Sequence, residues 1–276
     1  AHAFHAVSNT RVIILYPDGR VSPTQEAQLT MFNGDAASNV RAYAVAGSFD
    51  DCQRLTMEAF ADADLRRRVR LTSANSINIG RLLPQMIYYV HAVAQMARAG
   101  ATQDRAPAVF STPSGNFGNL TAGLMQKRAG LPIGRFVAAT NVNDIVPSYL
   151  ETGRFEPRAS VRTIANAMDV GNPSNFDRIM WLYDGNVTAV RRDIIGSRHD
   201  DAEVKATIRR VYEQRGYVLD PHSAIAYLGI LEQLKPAPGS GRRAPMTFLA
   251  TAHPAKFPEV VEPIIGHAIP KPRQLV

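Results

Sequence analysis

The sequence predicts an α/β fold built on open, mostly parallel sheets, and three observations carry that expectation. Strand and helix patterns alternate at βαβ spacing through the first 70 residues. Val12-Ile13-Ile14-Leu15 is an apolar run of strand length, as expected of a strand buried in a parallel sheet. Mid-chain, Ala108-Val109-Phe110 leads through Ser111-Thr112-Pro113 into the turn Ser114-Gly115-Asn116-Phe117-Gly118-Asn119, and then into the helix-forming run Leu120 to Arg128.

In chain order, Ala1 to Val7 reads as the tail of a helix, and Arg11 to Tyr16 as a buried strand closed by Pro17-Asp18-Gly19. Ser22-Pro23-Thr24-Gln25-Glu26 starts a helix with proline at its first position. Val40 to Val45 alternates apolar and polar residues and is the next strand. Ser48 or Asp50 caps a helix whose apolar positions Cys52, Leu55, Met57, Ala59 and Phe60 lie mainly along one face. From Leu71 the texture changes. Thr72 to Arg81 is dense in small polar groups, and Leu82 to Ala99 is a long amphipathic helix with Pro84 in its first turn.

Residues 100–107 form a loop before the central strand–turn–helix. A strand over Arg135 to Ala139 follows, then the polar turn Thr140 to Asp144 and a stretch at 151–185 rich in Pro, Asn and Gly with short helical pieces. Asp200 or Asp201 begins a helix that ends near Arg215-Gly216, and Asp220-Pro221-His222-Ser223 begins another that reaches Leu234. Residues 235–243 are an exposed loop, and Met246 to Ala250 is a buried strand running into Thr251 to Phe257.

Composition narrows the function classes. With 276 residues, 45% of them hydrophobic, the chain can bury a substantial core in one large or two smaller domains. No apolar run approaches the roughly 20 residues of a membrane span, and no signal-peptide pattern is present, so a cytoplasmic protein without a membrane partner is expected. The single cysteine, Cys52, cannot form an internal disulfide. The net charge of +7 suits an anionic partner. Its arginines are scattered, and the one dense run, Arg66-Arg67-Arg68-Val69-Arg70, closes a helix where cations favour the dipole. That argues against a nucleic acid, and a small anionic substrate fits as well, although net charge alone does not choose.

In open parallel sheets, ligands gather where strands end and helices begin. Three polar clusters, at 111–119, 140–144 and 251–256, each follow an expected strand, so all three could face one crevice. In the first, Gly115 and Gly118 let the backbone approach a ligand, and the unpaired N–H groups of the first helical turn suit a phosphate.

Four motifs together are similar to the threonine synthase family: Ser73-Ala74-Asn75-Ser76-Ile77-Asn78, Pro113 to Gly123, Ala138 to Asp144, and Thr251-Ala252-His253-Pro254-Ala255-Lys256-Phe257. Asn166-Ala167-Met168-Asp169-Val170 falls in the same register. The resemblance implies the tryptophan-synthase-β-like architecture (fold type II of the pyridoxal-phosphate enzymes), two α/β domains with pyridoxal 5'-phosphate between them. Residues 1–70 would be the remainder of the small domain and 71–276 the large cofactor- and substrate-binding one. It also implies conversion of O-phosphohomoserine and water to L-threonine and phosphate, the last step of threonine biosynthesis. The cofactor would stabilise carbanions at Cα and then Cβ, phosphate would leave from Cγ, and water would add at Cβ.

Carried over by position, Gly115, Asn116, Phe117, Gly118 and Asn119 would hold the cofactor phosphate through their backbone. Thr251 would place a neutral hydroxyl beside the pyridine nitrogen. Asn75, Ser76, Asn78 and Arg81 are candidates for the substrate side, where an arginine fork suits a phosphate. Lys256 is a candidate anion contact.

The match also predicts an absence. The family's Schiff-base lysine lies in an N-terminal segment without a counterpart here, since the five lysines are Lys127, Lys205, Lys235, Lys256 and Lys271. Together with an opening that lacks methionine, this reads as a fragment that is inactive alone. Other readings of the residues are a threonine or serine dehydratase on the same cofactor, or a non-catalytic Rossmann-like binding protein. His253 reads as holding its turn, His222 as a capping or packing residue, and Asp144 and Asp169 as turn or cap residues. The spacing shows no metal-ligand cluster and no Ser/His/Asp hydrolase set.

Overall fold

The structure, a computed structural model, describes residues 2–35, 37–101, 107–234 and 244–273. Most of the expected loop at 100–107, and the whole of that at 235–243, lie outside the described residues. The chain divides into two compact units. The first comprises Ala1–Leu71 with Ala255–Pro258 and the residues from Lys271 on; the second is Thr72–Pro254 with Glu259–Pro270.

The first unit is a βαβα arrangement. Strands β1 (Val12–Pro17) and β2 (Val40–Val45) pair in parallel, Val12 opposite Val40, with helix α1 (Pro23–Thr30) between them in sequence. Ser22 caps α1 through a box with Gln25, and Ser48 caps α2 (Phe49–Ala61) through a box with Asp51. The Asn33 amide makes both a donor and an acceptor bond to the backbone of Ala42, at 2.9 and 2.8 Å, standing in for a strand neighbour. Asp62 then caps the short helix α3 (Ala63–Arg68), which ends in three arginines.

Two expectations fail in this unit. The N-terminus is a single 3-10 turn, His2–Phe4, rather than the tail of a helix. Strand β1 is only half buried: Tyr16 is covered, whereas Ile13 is 69% exposed. A parallel strand is enclosed on both faces only when layers cover both, and the described residues supply helices α1 and α2 to a sheet of two strands.

The second unit opens with a polar loop and helix α4 (Leu83–Arg98), followed by strand β3 (Ala108–Pro113), helix α5 (Gly118–Arg128), strand β4 (Ile133–Thr140) and helix α6 (Ile145–Thr152). Helices α7 (Phe176–Leu182) and α8 (Val187–Asp193) precede strand β5 (Ile194–Arg198). Helices α9 (Asp201–Arg215) and α10 (Pro221–Gln233), strand β6 (Met246–Phe248) and helix α11 (Pro258–Ile265) complete the described elements. The four strands form one parallel sheet in the order β5-β4-β3-β6. Neither β5 nor α6 is legible as an element in the sequence. Ile194-Ile195-Gly196-Ser197-Arg198 has only two strong strand formers, and its pairing with Phe136 to Thr140 supplies the rest.

Register explains why β3 and β4 are apolar on both faces. Phe110 stands opposite Phe136, and both rings meet Tyr89 of α4 edge-on, with centroids 5.2 and 5.8 Å away. Helix α5 packs closely here because residue 123 is glycine: a Cβ would lie 2.5 Å from the Phe136 ring and 2.7 Å from Tyr89. On the opposite face α10 contacts β3 and β4, and Gly229 admits Ser111, Val137 and Ala139. Each buried phenylalanine contributes about 1.5–3 kcal/mol through area removed from water. Among the described residues no helix is long and apolar enough to cross a membrane.

Candidate active site

Because β3, β4, β5 and β6 run parallel, their carboxyl ends share one edge of the sheet, where crevice ligands of open α/β sheets are found. The segments leaving that edge are Ser114 to Asn119, Asn141 to Asp144, His199 with Asp200, and Leu249 to Thr251.

The turn after β3 carries the chain from strand to helix. Ser114 continues the sheet by donating its N–H to Ala139 at 2.8 Å, and the Asn119 amide closes the turn onto the Pro113 carbonyl at 2.9 Å. Phe117, buried, adopts φ 60° and ψ 18°, a left-handed conformation costly for a non-glycine residue and held here by its surroundings. The chain turns there directly into α5. Tyr89 anchors the first turn of the helix by donating its hydroxyl to the Asn119 carbonyl at 2.7 Å. Among the described residues, the N–H groups of Gly115, Phe117, Gly118 and Asn119 donate to no protein acceptor. Unpaired donors at the positive end of a helix are the chemistry a phosphate needs.

The two glycines also let neighbouring protein approach the turn. A Cβ on Gly115 would stand 2.8 Å from the Ala167 carbonyl oxygen and 2.8 Å from the Met168 Cα, and one on Gly118 would stand 3.1 Å from Ser76 Cβ. Their missing side chains therefore admit neighbouring protein. Any ligand approaches through the N–H groups.

Ser76 meets this turn directly. Its hydroxyl accepts from the Asn116 amide at 2.8 Å. The other end of that amide accepts from the Ser174 N–H and hydroxyl, and the Asn116 carbonyl accepts from Asn175. Arg178 completes the knot, donating to the carbonyls of Ser76 and Ile77 and to the Asn175 side chain. Asn116 thus spends its side chain on protein. Ser174, Asn175 and Arg178 escape sequence reasoning because they lie some sixty to a hundred positions from the loops they join. The polar Pro173-Ser174-Asn175 run before an apolar helix is the one signal that could have found them.

The remaining candidates divide. Asn78 is taken up locally: its amide donates to Ser73, and its oxygen accepts from Gly80 to cap a 3-10 turn. Asn75 is exposed and accepts from the Ser76 hydroxyl. Arg81 is exposed, and among the described residues its guanidinium makes no hydrogen bond or ion pair. Thr251, two residues beyond the strand-like pairing of Leu249 with Ser111, is also exposed. Lys256 lies in the first unit, where its carbonyl accepts from Ser22 at 3.0 Å.

In the cluster at 140–144 the two asparagine side chains are buried and spent on protein. Asn141 donates to Thr163 and Asp169, and Asn143 to Asn141, Val161 and Asp169. Asp169, expected as a turn residue, is the hub: it also accepts from the Thr163 N–H and hydroxyl. Burial pushes its carboxyl up to about 6, against the Thr163 and Asn141 donors that favour the charged form. Asp144 pairs with Arg158 and Arg198.

After β5, His199 Nε2 lies 2.6 Å from Ser197 Oγ, with Glu203 3.6 Å from Nδ1. The set has the members of a hydrolase triad but not its polarity. The buried Ser197 hydroxyl donates to Glu232 at 2.8 Å, so it clamps β5 to α10. Burial holds the His199 pKa below its ordinary value, opposed by Glu232 and Glu203. Among the described residues no group of three His, Cys, Asp or Glu side chains is placed to hold a metal ion.

Comparisons with known proteins bear on this geometry. The family described as "Pyridoxal-phosphate dependent enzyme" matches residues 3–249, and "Threonine synthase, C-terminal" matches residues 223–276. A threonine synthase of Haemophilus influenzae is 46% identical over 275 residues, covering 100% of this chain and 61% of the relative. The crystal structure of threonine synthase from Escherichia coli superposes with a TM-score of 0.88 at 43% identity, covering 100% of this chain and 60% of that one. A threonine synthase from Brucella melitensis with pyridoxal phosphate bound gives a TM-score of 0.80 at 36% identity, covering 99% of this chain and 61% of that one. The chain therefore spans about three fifths of the length of these relatives.

Proposed function

The chain belongs to the pyridoxal-phosphate dependent enzyme family, and from that premise we propose that the full-length protein is a threonine synthase, converting O-phosphohomoserine and water to L-threonine and phosphate in the cytoplasm. The observation that carries the assignment of the site is the set of N–H groups at the start of α5 that are unpaired among the described residues, those of Gly115, Phe117, Gly118 and Asn119. Among the described residues no carboxylate accepts from them, and Gly115, Phe117, Gly118 and Asn119 are accordingly assigned to the cofactor phosphate, with Asn116 on the family resemblance.

Pyridoxal phosphate, when bound, supplies an electron sink for carbanions formed beside the substrate amino group. The chain's own residues bind and orient. Thr251 is assigned a hydrogen bond at the ring nitrogen, where a neutral hydroxyl moderates electron withdrawal. The knot of Asn116, Asn175 and Arg178 holds the loop 72–81 against the phosphate turn, so that Ser76 and Asn75 face the substrate. Arg81, its guanidinium uncommitted among the described residues, is assigned to the substrate phosphate as a planar fork. Asn78 supports the same loop by capping it. Lys256 keeps the role of an anion contact on the family resemblance alone. The first unit is assigned as part of the small domain and the second as the cofactor- and substrate-binding domain.

The test is an assay of the full-length protein with pyridoxal phosphate, measuring phosphate and threonine formed from O-phosphohomoserine. Phosphate and threonine in equal amounts are expected. No threonine would overturn the reading, and ammonia released from serine or threonine in its place would indicate a dehydratase.

A further inference from the structure

Gly115 rests on the turn Asn166–Met168, with the Ala167 carbonyl oxygen and the Met168 Cα where its Cβ would meet them. That turn is held in its place by a pair from another element. Asp220 and His222, 1% and 3% exposed, stand at the start of α10. The Asp220 carboxylate accepts from the N–H groups of His222 and Ser223 and from the Ser223 hydroxyl, and lies 2.9 Å from His222 Nδ1. On its far side, His222 Nε2 accepts the Ala167 N–H at 3.3 Å, across 55 positions of sequence.

The direction of these bonds determines the tautomer. A backbone N–H can only donate, so Nε2 carries no proton, and the proton sits on Nδ1 facing Asp220. The carboxylate selects the form of imidazole that can act as an acceptor. Capping α10 requires Asp220 alone, so the second bond of His222 serves the distant turn.

We propose that Asp220 and His222 are positioning residues for cofactor binding: through Ala167 they set the turn on which Gly115 rests, and so the placement of the N–H groups of Gly115 to Asn119. This rests on the reading of those groups as the phosphate cradle. Neither residue touches the cofactor in this account. Their effect is on phosphate recognition and not on recognition of the ring.

That separation defines the experiment. Dissociation constants for pyridoxal phosphate and for pyridoxal are measured on the full-length protein and on its His222→Leu and His222→Gln variants, and the ratio of the two isolates the phosphate. Losing one hydrogen bond's worth of placement is expected to lower the ratio about tenfold in His222→Leu, with pyridoxal affinity unchanged. In His222→Gln, whose amide oxygen can reach Ala167, the ratio is expected within about threefold of the parent. If His222→Leu does not fold, His222→Asn, polar but too short to reach, takes its place with the same expectation. An unchanged ratio in the apolar variant, an equal loss in both variants, or a parallel loss of pyridoxal binding overturns the positioning role. A parent that binds the two ligands equally overturns the cradle reading itself, and the relay with it, before any variant is made.

Discussion

The turns after β3 and β4 leave neighbouring strands at the same edge of one sheet, and both are rich in asparagine. They differ in what their side-chain amides meet. After β4, the side-chain amides of Asn141 and Asn143 are spent on Asp169, Thr163 and Val161. After β3, no carboxylate approaches, and the N–H groups of Gly115, Phe117, Gly118 and Asn119 stay unpaired among the described residues. A carboxylate can take about four donors, so one acidic residue at the right place ties the side chains of a polar loop into a structural hub.

The largest expected effect tests the hub. Asp169→Ala strands the donors of Thr163, Asn141 and Asn143, and should cost about 3 kcal/mol by denaturant unfolding, seen as a lower midpoint. A loss below about 0.5 kcal/mol would mean that solvent satisfies those groups as well as the carboxylate does.

Gly115→Ala tests the other turn. Its Cβ would meet two backbone atoms of the turn Asn166–Met168, which cannot give as a flexible side chain would, so about 2 kcal/mol of stability should be lost. The preference for pyridoxal phosphate over pyridoxal should fall with it, whereas Asp169→Ala should affect stability more than that preference.

A smaller effect follows from pH. The Asp169 carboxyl rises from 3.8 to about 6 on folding, so the folded state binds its proton more tightly than the unfolded chain. Stability from this group is complete below about pH 4 and declines as pH rises to about 6. The decline should be on the order of 1 kcal/mol after allowing for partial exposure. Chemical unfolding across that window, compared with Asp169→Asn, isolates the contribution, and a rise with pH in the difference would contradict the burial argument.

The smallest effect on stability belongs to Arg81. Exposed and unpaired among the described residues, it can be replaced by alanine within about 0.5 kcal/mol. In the full-length enzyme Arg81→Ala should raise KM for O-phosphohomoserine and leave the affinity for pyridoxal phosphate unchanged. An unchanged KM would remove it from the substrate site.

Sequence by itself determined the local devices. Apolar runs and, for β2, alternation placed β1, β2, β3 and β4, Ser22 and Ser48 cap their helices, and the strand–glycine turn–helix at 108–128 is where it was expected. These depend on neighbours a few positions apart, so they can be read along the chain. Tertiary structure decided the rest. Short β5 became a strand only through β4, and Ile13 stayed exposed because two helices cover only part of a two-stranded sheet. The partners that separate the two turns, Asp169 for one and Ser174, Asn175, Arg178 and His222 for the others' supports, arrive from 26 to 102 positions away. Whether a polar group is free to bind depends on which acceptors reach it in space, and spacing along the chain carries no record of that.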